Sequence, residues 1–150
     1  MPQSLAKCYM HIVFSTKGRA NLIPKAHLDK VHAYITGILN SIHCPGICVG
    51  GTENHIHILC IMSRSITISN LVKTVKASSS KWINEQQRDF HHFAWQEGYG
   101  CFTISQTHVD AVKQYIAIQE EHHQHVTFQD EFRRLLEIYQ VEYDERYVWD

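Results

Sequence analysis

The stretch GGTENHIHILCIM, Gly50 to Met62, decides the reading of this chain. Side chains of a β-strand alternate between its two faces, so His55 and His57 point the same way. Ile56, Ile58, Cys60 and Met62 make one face of the strand, and His55, His57, Leu59 and Ile61 make the other. Both faces carry apolar residues, so both need a cover. Two imidazoles on one face can share a ligand, but they also suit a half-exposed strand, and the pair alone does not choose between these. Gly51 to Asn54 reads as a short turn, which makes the preceding ICVGG a strand running back along HIHILCIM.

Outward from this hairpin the pattern continues on both sides. KCYMHIVFSTKG is rich in β-branched and aromatic residues and predicts a strand over Lys7 to Thr16. From Pro24 onward, Leu28, Val31, Ile35, Ile38, Leu39 and Ile42 recur at helical spacing, and Pro24 stands at a helix start. After the hairpin, Ile68, Leu71, Val72, Val75 and Ile83 predict a second helix, and GYGCFTISQ a fourth strand. THVDAVKQYIAIQEEHHQH predicts a third helix with Ser105 or Thr107 as its cap. FQDEFRRLLEIYQ predicts a last amphipathic helix before the acidic-aromatic tail VEYDERYVWD. The order βαββαβ followed by further helices is that of an α+β, ferredoxin-like (RRM-like) fold: a four-stranded antiparallel sheet with two helices on one face. The third helix or a partner subunit is expected to cover the other.

The 150 residues fit one domain, residues 1–150, with no internal repeat, low-complexity tract or linker. Hydrophobic residues at 44% and charged residues at 19% are those of a globular protein, and a net charge of -1 means that any nucleic-acid site rests on local clustering. The five cysteines, Cys8, Cys44, Cys48, Cys60 and Cys101, are odd in number and irregular in spacing. They predict reduced packing residues, not a disulfide framework or a zinc site. With neither a membrane-length apolar run nor a signal-peptide pattern, no membrane association and a cytoplasmic location are expected.

The third helix carries Tyr115 and, four residues on, Gln119, on one helix face. By themselves these suit a core tyrosine and a solvated amide. On the second helix Lys73, Lys76 and Lys81 accompany Trp82, which fits either a solvated face or a phosphate-contacting surface with a stacking aromatic; Lys17 and Arg19 could extend it. His122 and His123, about two turns beyond Tyr115, suit a solvated helix end or neighbours of a metal or DNA.

Taken together, H-x-H on an internal strand, Y-x-x-x-Q on a later helix and the ferredoxin-like order resemble the HUH single-tyrosine transposases of the insertion-sequence-200-like class. HIVFSTKGRANLI, VGGTENHIHIL, LVKTVKASSSKWINE, FAWQEGYGCFTIS, YIAIQEEHH and VEYDERYVWD are similar to segments of that family, in its order. The resemblance implies a metal-dependent enzyme that cleaves and rejoins single-stranded DNA at hairpin-marked element ends. Tyr115 would be the nucleophile that forms a 5′-phosphotyrosine, and His55, His57 and Gln119 the ligands of one divalent metal per site. It further implies Mg2+ or Mn2+, although two imidazoles suit a transition ion better than magnesium. It also implies a homodimer with composite sites, the histidines from one subunit and the tyrosine from the other. A domesticated relative that cuts and joins repetitive-element hairpins, and a non-catalytic nucleic-acid-binding module, are the alternatives. Convergence of both histidines and Gln119 on one point discriminates against the binding module.

Overall fold

The computed structural model describes residues 2–86 and 92–150. Four strands, β1 (Cys8–Ser15), β2 (Gly46–Thr52), β3 (His55–Met62) and β4 (Gly100–Ile104), form one sheet in the order β2-β3-β1-β4. All three pairings are antiparallel, with Ile12 opposite Ile58 and Val13 opposite His57 at the centre. Helices α1 (Leu28–Ser41) and α2 (Ile68–Gln86) connect the strands in the ferredoxin-like manner. A single 3-10 turn, Lys25–His27, precedes α1, so the regular helix starts four residues beyond Pro24.

The alternation in β1 and β3 sorts the molecule into two layers. Met10, Ile12, Phe14, Ile56, Ile58 and Cys60 face α1 and α2, where Val31, Ile35, Leu39, Leu71, Val75 and Ile83 complete a dry core. The opposite face presents Tyr9, Val13, Leu59, Phe102 and Ile104, and with them His11, His55 and His57. The chain's own C-terminal helices cover this second face: α3 (Val109–Ala117), the single turn α4 (Gln119–His122) and α5 (Phe128–Ile138).

The expected third helix is therefore broken. Ile118 leaves helical geometry (φ -101°, ψ 20°) and is half exposed, and the chain turns there before α4 begins. The Tyr115 carbonyl, at the broken turn, accepts a hydrogen bond from the side-chain amide of Gln119 (3.3 Å). Gln119 consequently points inward and is buried, where an unbroken amphipathic helix would have left it solvated. At the start of α5 the Thr127 hydroxyl accepts from the Asp130 backbone N–H (3.2 Å), a helix cap that fixes where the last helix begins.

Two glycines let these helices close on the sheet. A Cβ on Gly50 would stand 2.7 Å from Ile116 Cγ2 and 2.8 Å from the Ile116 carbonyl oxygen on α3. A Cβ on Gly100 would stand 2.7 Å from the ring of Phe132 on α5. Because the contact at Gly50 is partly with backbone, Gly50→Ala forces α3 outward. Overpacking of this kind costs about 1–3 kcal/mol. Urea denaturation of the variant is expected to register that loss with the far-ultraviolet circular dichroism of the fold retained.

Candidate active site

His11, His55 and His57 of the sheet meet Tyr115, Gln119, His122, His123 and Glu131 of the covering segments between the layers. His55 and His57 are fully buried, and His11, Gln119 and Glu131 nearly so. Glu131 is the centre. Its Oε1 lies 2.9 Å from His57 Nε2, 3.2 Å from His123 Nε2 and 3.7 Å from His55 Nε2. Its Oε2 accepts a hydrogen bond from the Tyr115 hydroxyl and stands 3.2 Å from His122 Nε2. Gln119 Oε1 lies 2.9 Å from both His55 Nε2 and His123 Nε2. Behind His57, its Nδ1 meets His11 Nε2 at 2.8 Å.

The protons available do not satisfy these contacts. His55 has an amide oxygen against each ring nitrogen: Asn54 Oδ1 at 2.8 Å from Nδ1, with the Thr52 hydroxyl beside it at 2.9 Å, and Gln119 Oε1 at 2.9 Å from Nε2. A neutral imidazole carries one N–H, and an amide oxygen only accepts. Burial, and next the neighbouring His57, push the His55 pKa down to about 3, so the ring is neutral and one of the two contacts opposes lone pair to lone pair. A cation among His55 Nε2, His57 Nε2, Gln119 Oε1 and Glu131 Oε1 removes the conflict. Cis ligands about 2.1 Å from an octahedral ion stand about 3 Å apart, which these separations approach. Two imidazoles, an amide and a carboxylate thus fit a divalent ion, and His55, His57 and Glu131 by themselves form a ligand group compatible with one.

Tyr115 sits at the edge of this cluster, half buried, its ring edge-on to those of His57 and His122 (5.6 Å between centroids in each case). Burial first, then the negative charge of Glu131, raise its hydroxyl well above the ordinary tyrosine range. Burial alone would raise the Glu131 carboxyl too, but hydrogen bonds from His123 and His57 and the bond from Tyr115 outweigh it and hold the carboxyl well below the usual range. A cleft of about 750 Å³ opens at this point, lined by Tyr115, His122, His125, Glu131 and Arg134 among others. On the other side of His123 a second cleft, of about 590 Å³, is bordered by Arg19, Lys25 and Asn54.

The structure thus brings together Tyr115, His55, His57 and Gln119, and turns His122 and His123 inward beside them. All belong to one chain. The composite arrangement expected from the resemblance has Tyr115 supplied by a partner; here α3 lies on its own chain's sheet, with Ile116 against the bare backbone of Gly50.

The basic residues behave differently. α2 lies on the other face of the sheet, so Lys73 and Lys81, though exposed, face away from Tyr115. The Lys76 ammonium is engaged within the fold, donating to the carbonyls of Gln96 (2.8 Å), Glu97 (3.1 Å) and Gly98 (2.6 Å). Trp82 stacks on Tyr34 (4.3 Å between centroids) in the seam between α1 and α2, so its ring is used for packing. Lys17 is exposed past the end of β1, and Arg19 lies over the Trp149 ring at the rim of the second cleft.

Sequence reasoning missed Glu131 and His11. The signal for Glu131 was a carboxylate on the inward stripe Phe128, Phe132, Leu136 of the last helix; for His11, a histidine at the i+2 spacing between the inward Tyr9 and Val13.

Residues 4–119 match the family described as Transposase IS200 like. The chain belongs to this family. The matched stretch includes both strand histidines, Tyr115 and Gln119 and stops short of Glu131. Among solved structures, a candidate transposase from Deinococcus radiodurans R1 is similar at 19% identity, over 79% of this chain and 98% of that one, with a TM-score of 0.61. The REP-associated tyrosine transposase bound to a REP hairpin is similar at 12% identity, over 84% of this chain and 74% of that one, also at 0.61. No curated protein matches the chain. Among the described residues no helix is long and apolar enough to cross a membrane.

Two outcomes follow from the geometry of this candidate site. Glu131→Gln keeps the volume but removes the charge. Its divalent-ion affinity, by calorimetry, is expected to fall by at least the roughly 10–100-fold that even outer-shell partners of a metal carry. In metal-free protein, acid should destabilise. Burial and the adjacent His57 push His11 as well as His55 down to about 3 from an ordinary 6.5. Below pH 6.5 the unfolded chain therefore takes up protons that the folded chain does not, and stability is lost progressively from there toward pH 3. The depressed Glu131 adds loss in the same sense below its ordinary 4.5. Thermal melts in chelator from pH 7 to 4 measure the slope.

Proposed function

We propose that this transposase cleaves and rejoins single-stranded DNA through a covalent link to Tyr115. The observation that carries the reading is the sharing of Glu131: one oxygen of its carboxylate holds the tyrosine hydroxyl and the other meets the histidines. A non-catalytic binding module has no use for that connection.

In this reading the strand lies across the cleft at Tyr115 with a phosphodiester beside the hydroxyl. The Tyr115 oxygen attacks phosphorus as its proton passes to Glu131 Oε2. The bond from phosphorus to the 3′-oxygen breaks, and that oxygen leaves as a hydroxyl after gaining a proton from solvent. The products are a 5′-phosphotyrosine and a free 3′-end. A second 3′-hydroxyl reverses the steps and reseals the strand; the phosphotyrosine ester conserves the bond energy, so no nucleotide cofactor is consumed. A divalent cation held by His55, His57, Gln119 and Glu131, Mg2+ or Mn2+ by family resemblance, would withdraw charge from the phosphate oxygens and stabilise the leaving oxygen.

The substrate is proposed to be single-stranded DNA bearing hairpins at element ends. The similarity in fold to a tyrosine transposase bound to a REP hairpin supports this, and supports equally a relative that processes repetitive-element hairpins without mobilising itself. Arg19 and Arg134, at the rims of the two clefts, and Lys17 nearby are the proposed phosphate contacts; Lys73 and Lys81 would meet only flanking DNA on the far face.

Tyr115→Phe is expected to abolish the denaturation-resistant protein–DNA adduct while hairpin binding stays within a few-fold of wild type, since one buried hydroxyl is lost from a helix that still packs. An adduct persisting in this variant would overturn the assignment. The same variant decides between a site built within one chain and a site shared across a homodimer. In mixtures with His57→Ala chains, the one-chain site gives no recovery of cleavage. Recovery, with heterodimers confirmed by mass spectrometry, would establish the composite homodimer.

A further inference from the structure

His11 opens the segment HIVFSTKGRANLI, but the sequence assigns no chemistry to it. It occupies the centre of β1, on the inward face between Tyr9 and Val13, and is 2% exposed. Its surroundings are aromatic, with Phe102 at 6.4 Å and Tyr115 at 6.3 Å between ring centroids, both edge-on. A polar ring in such a place is costly unless hydrogen-bonded. Among the described residues its side chain makes one such bond, to His57 Nδ1 at 2.8 Å, with the two rings stacked.

That bond has to serve two arrangements of protons. Without an ion, His57 Nε2 can carry the hydrogen and donate to Glu131 Oε1 at 2.9 Å, and His57 Nδ1 then accepts from His11 Nε2–H. With an ion on His57 Nε2, the single hydrogen of the neutral ring must sit on Nδ1 and point at His11, which then accepts. A residue that only donates or only accepts would satisfy one arrangement and oppose the other. Imidazole does both by moving its own hydrogen between its nitrogens, with no change in net charge. At His55, by contrast, Nδ1 faces Asn54 Oδ1, which only accepts, and the Thr52 hydroxyl at 2.9 Å, which can do either without moving a ring hydrogen.

We propose that His11 is a positioning residue for the metal site, fixing the ring orientation of His57 and exchanging tautomers with it when a divalent ion binds. The inference rests on the metal site of the proposed function, and its readout needs no DNA. Methionine and glutamine are nearly isosteric, and an amide, like imidazole, can accept or donate. Mn2+ is titrated by calorimetry into the full metal-free chain and into His11→Gln and His11→Met. The glutamine variant is expected to bind within a few-fold of wild type and the methionine variant roughly 10–100-fold more weakly, the range carried by outer-shell partners of a metal-bound histidine. Equal affinities in the two variants, whether both near wild type or both weakened, would overturn the inference, because packing alone would then account for His11. A wild-type chain that takes up no Mn2+ would overturn it as well, while the Tyr115 adduct, scored separately, still reports on the strand-transfer reading.

Discussion

The buried carboxylate of Glu131 is the constraint around which the second layer is arranged. A carboxylate at 3% exposure is tolerated only when its lone pairs are occupied, since an isolated buried charge costs several kcal/mol. Here His57 and His123 occupy one oxygen, and Tyr115 the other with His122 close by. Each of these partners comes from a different stretch of chain, β3, α3, α4 and the turn after it. The need to satisfy one charge therefore ties the C-terminal helices to the sheet at a single place. The same ties link the Tyr115 hydroxyl to the histidines, because one oxygen of the carboxylate holds that hydroxyl and the other meets His57 and His123.

The two faces of the sheet divide the work. Against α1 and α2 the packing is apolar, aliphatic with Phe14, Phe93 and Trp95, and even the polar groups of that side, the Lys76 ammonium and the Trp82 ring, are used to fasten loop and helix. Against α3 to α5 the histidines interrupt the apolar surface, and Gly50 and Gly100 remove the side chains that would keep the helices at a distance. The rigid layer holds the strand histidines in register, and the close approach of the second layer brings Tyr115 and Gln119 to them. A site on a strand gains its precision from the sheet.

Much of this was legible in the sequence because it follows from local periodicity. Alternation in HIHILCIM put both histidines on one face, helical spacing gave α1, α2 and the last helix, and the element order alone pointed to the sheet topology. H-x-H and Y-x-x-x-Q named four of the residues that meet between the layers. What the sequence left open depended on contacts between residues far apart in the chain. Glu131 lies 74 residues from His57, and its role is invisible until α5 is laid across the sheet. His11 and His57 meet only through the β1–β3 pairing. The break at Ile118 overrides a helical pattern that continues through it, because burying Gln119 against His55 outweighs local propensity. Lys76 and Trp82 looked available for DNA because composition does not say which side of a helix a neighbouring loop will use. Periodicity reports which face a residue takes; only the packed layers decide what meets that face, since the partners of a buried charge are chosen by topology and not by neighbours in sequence.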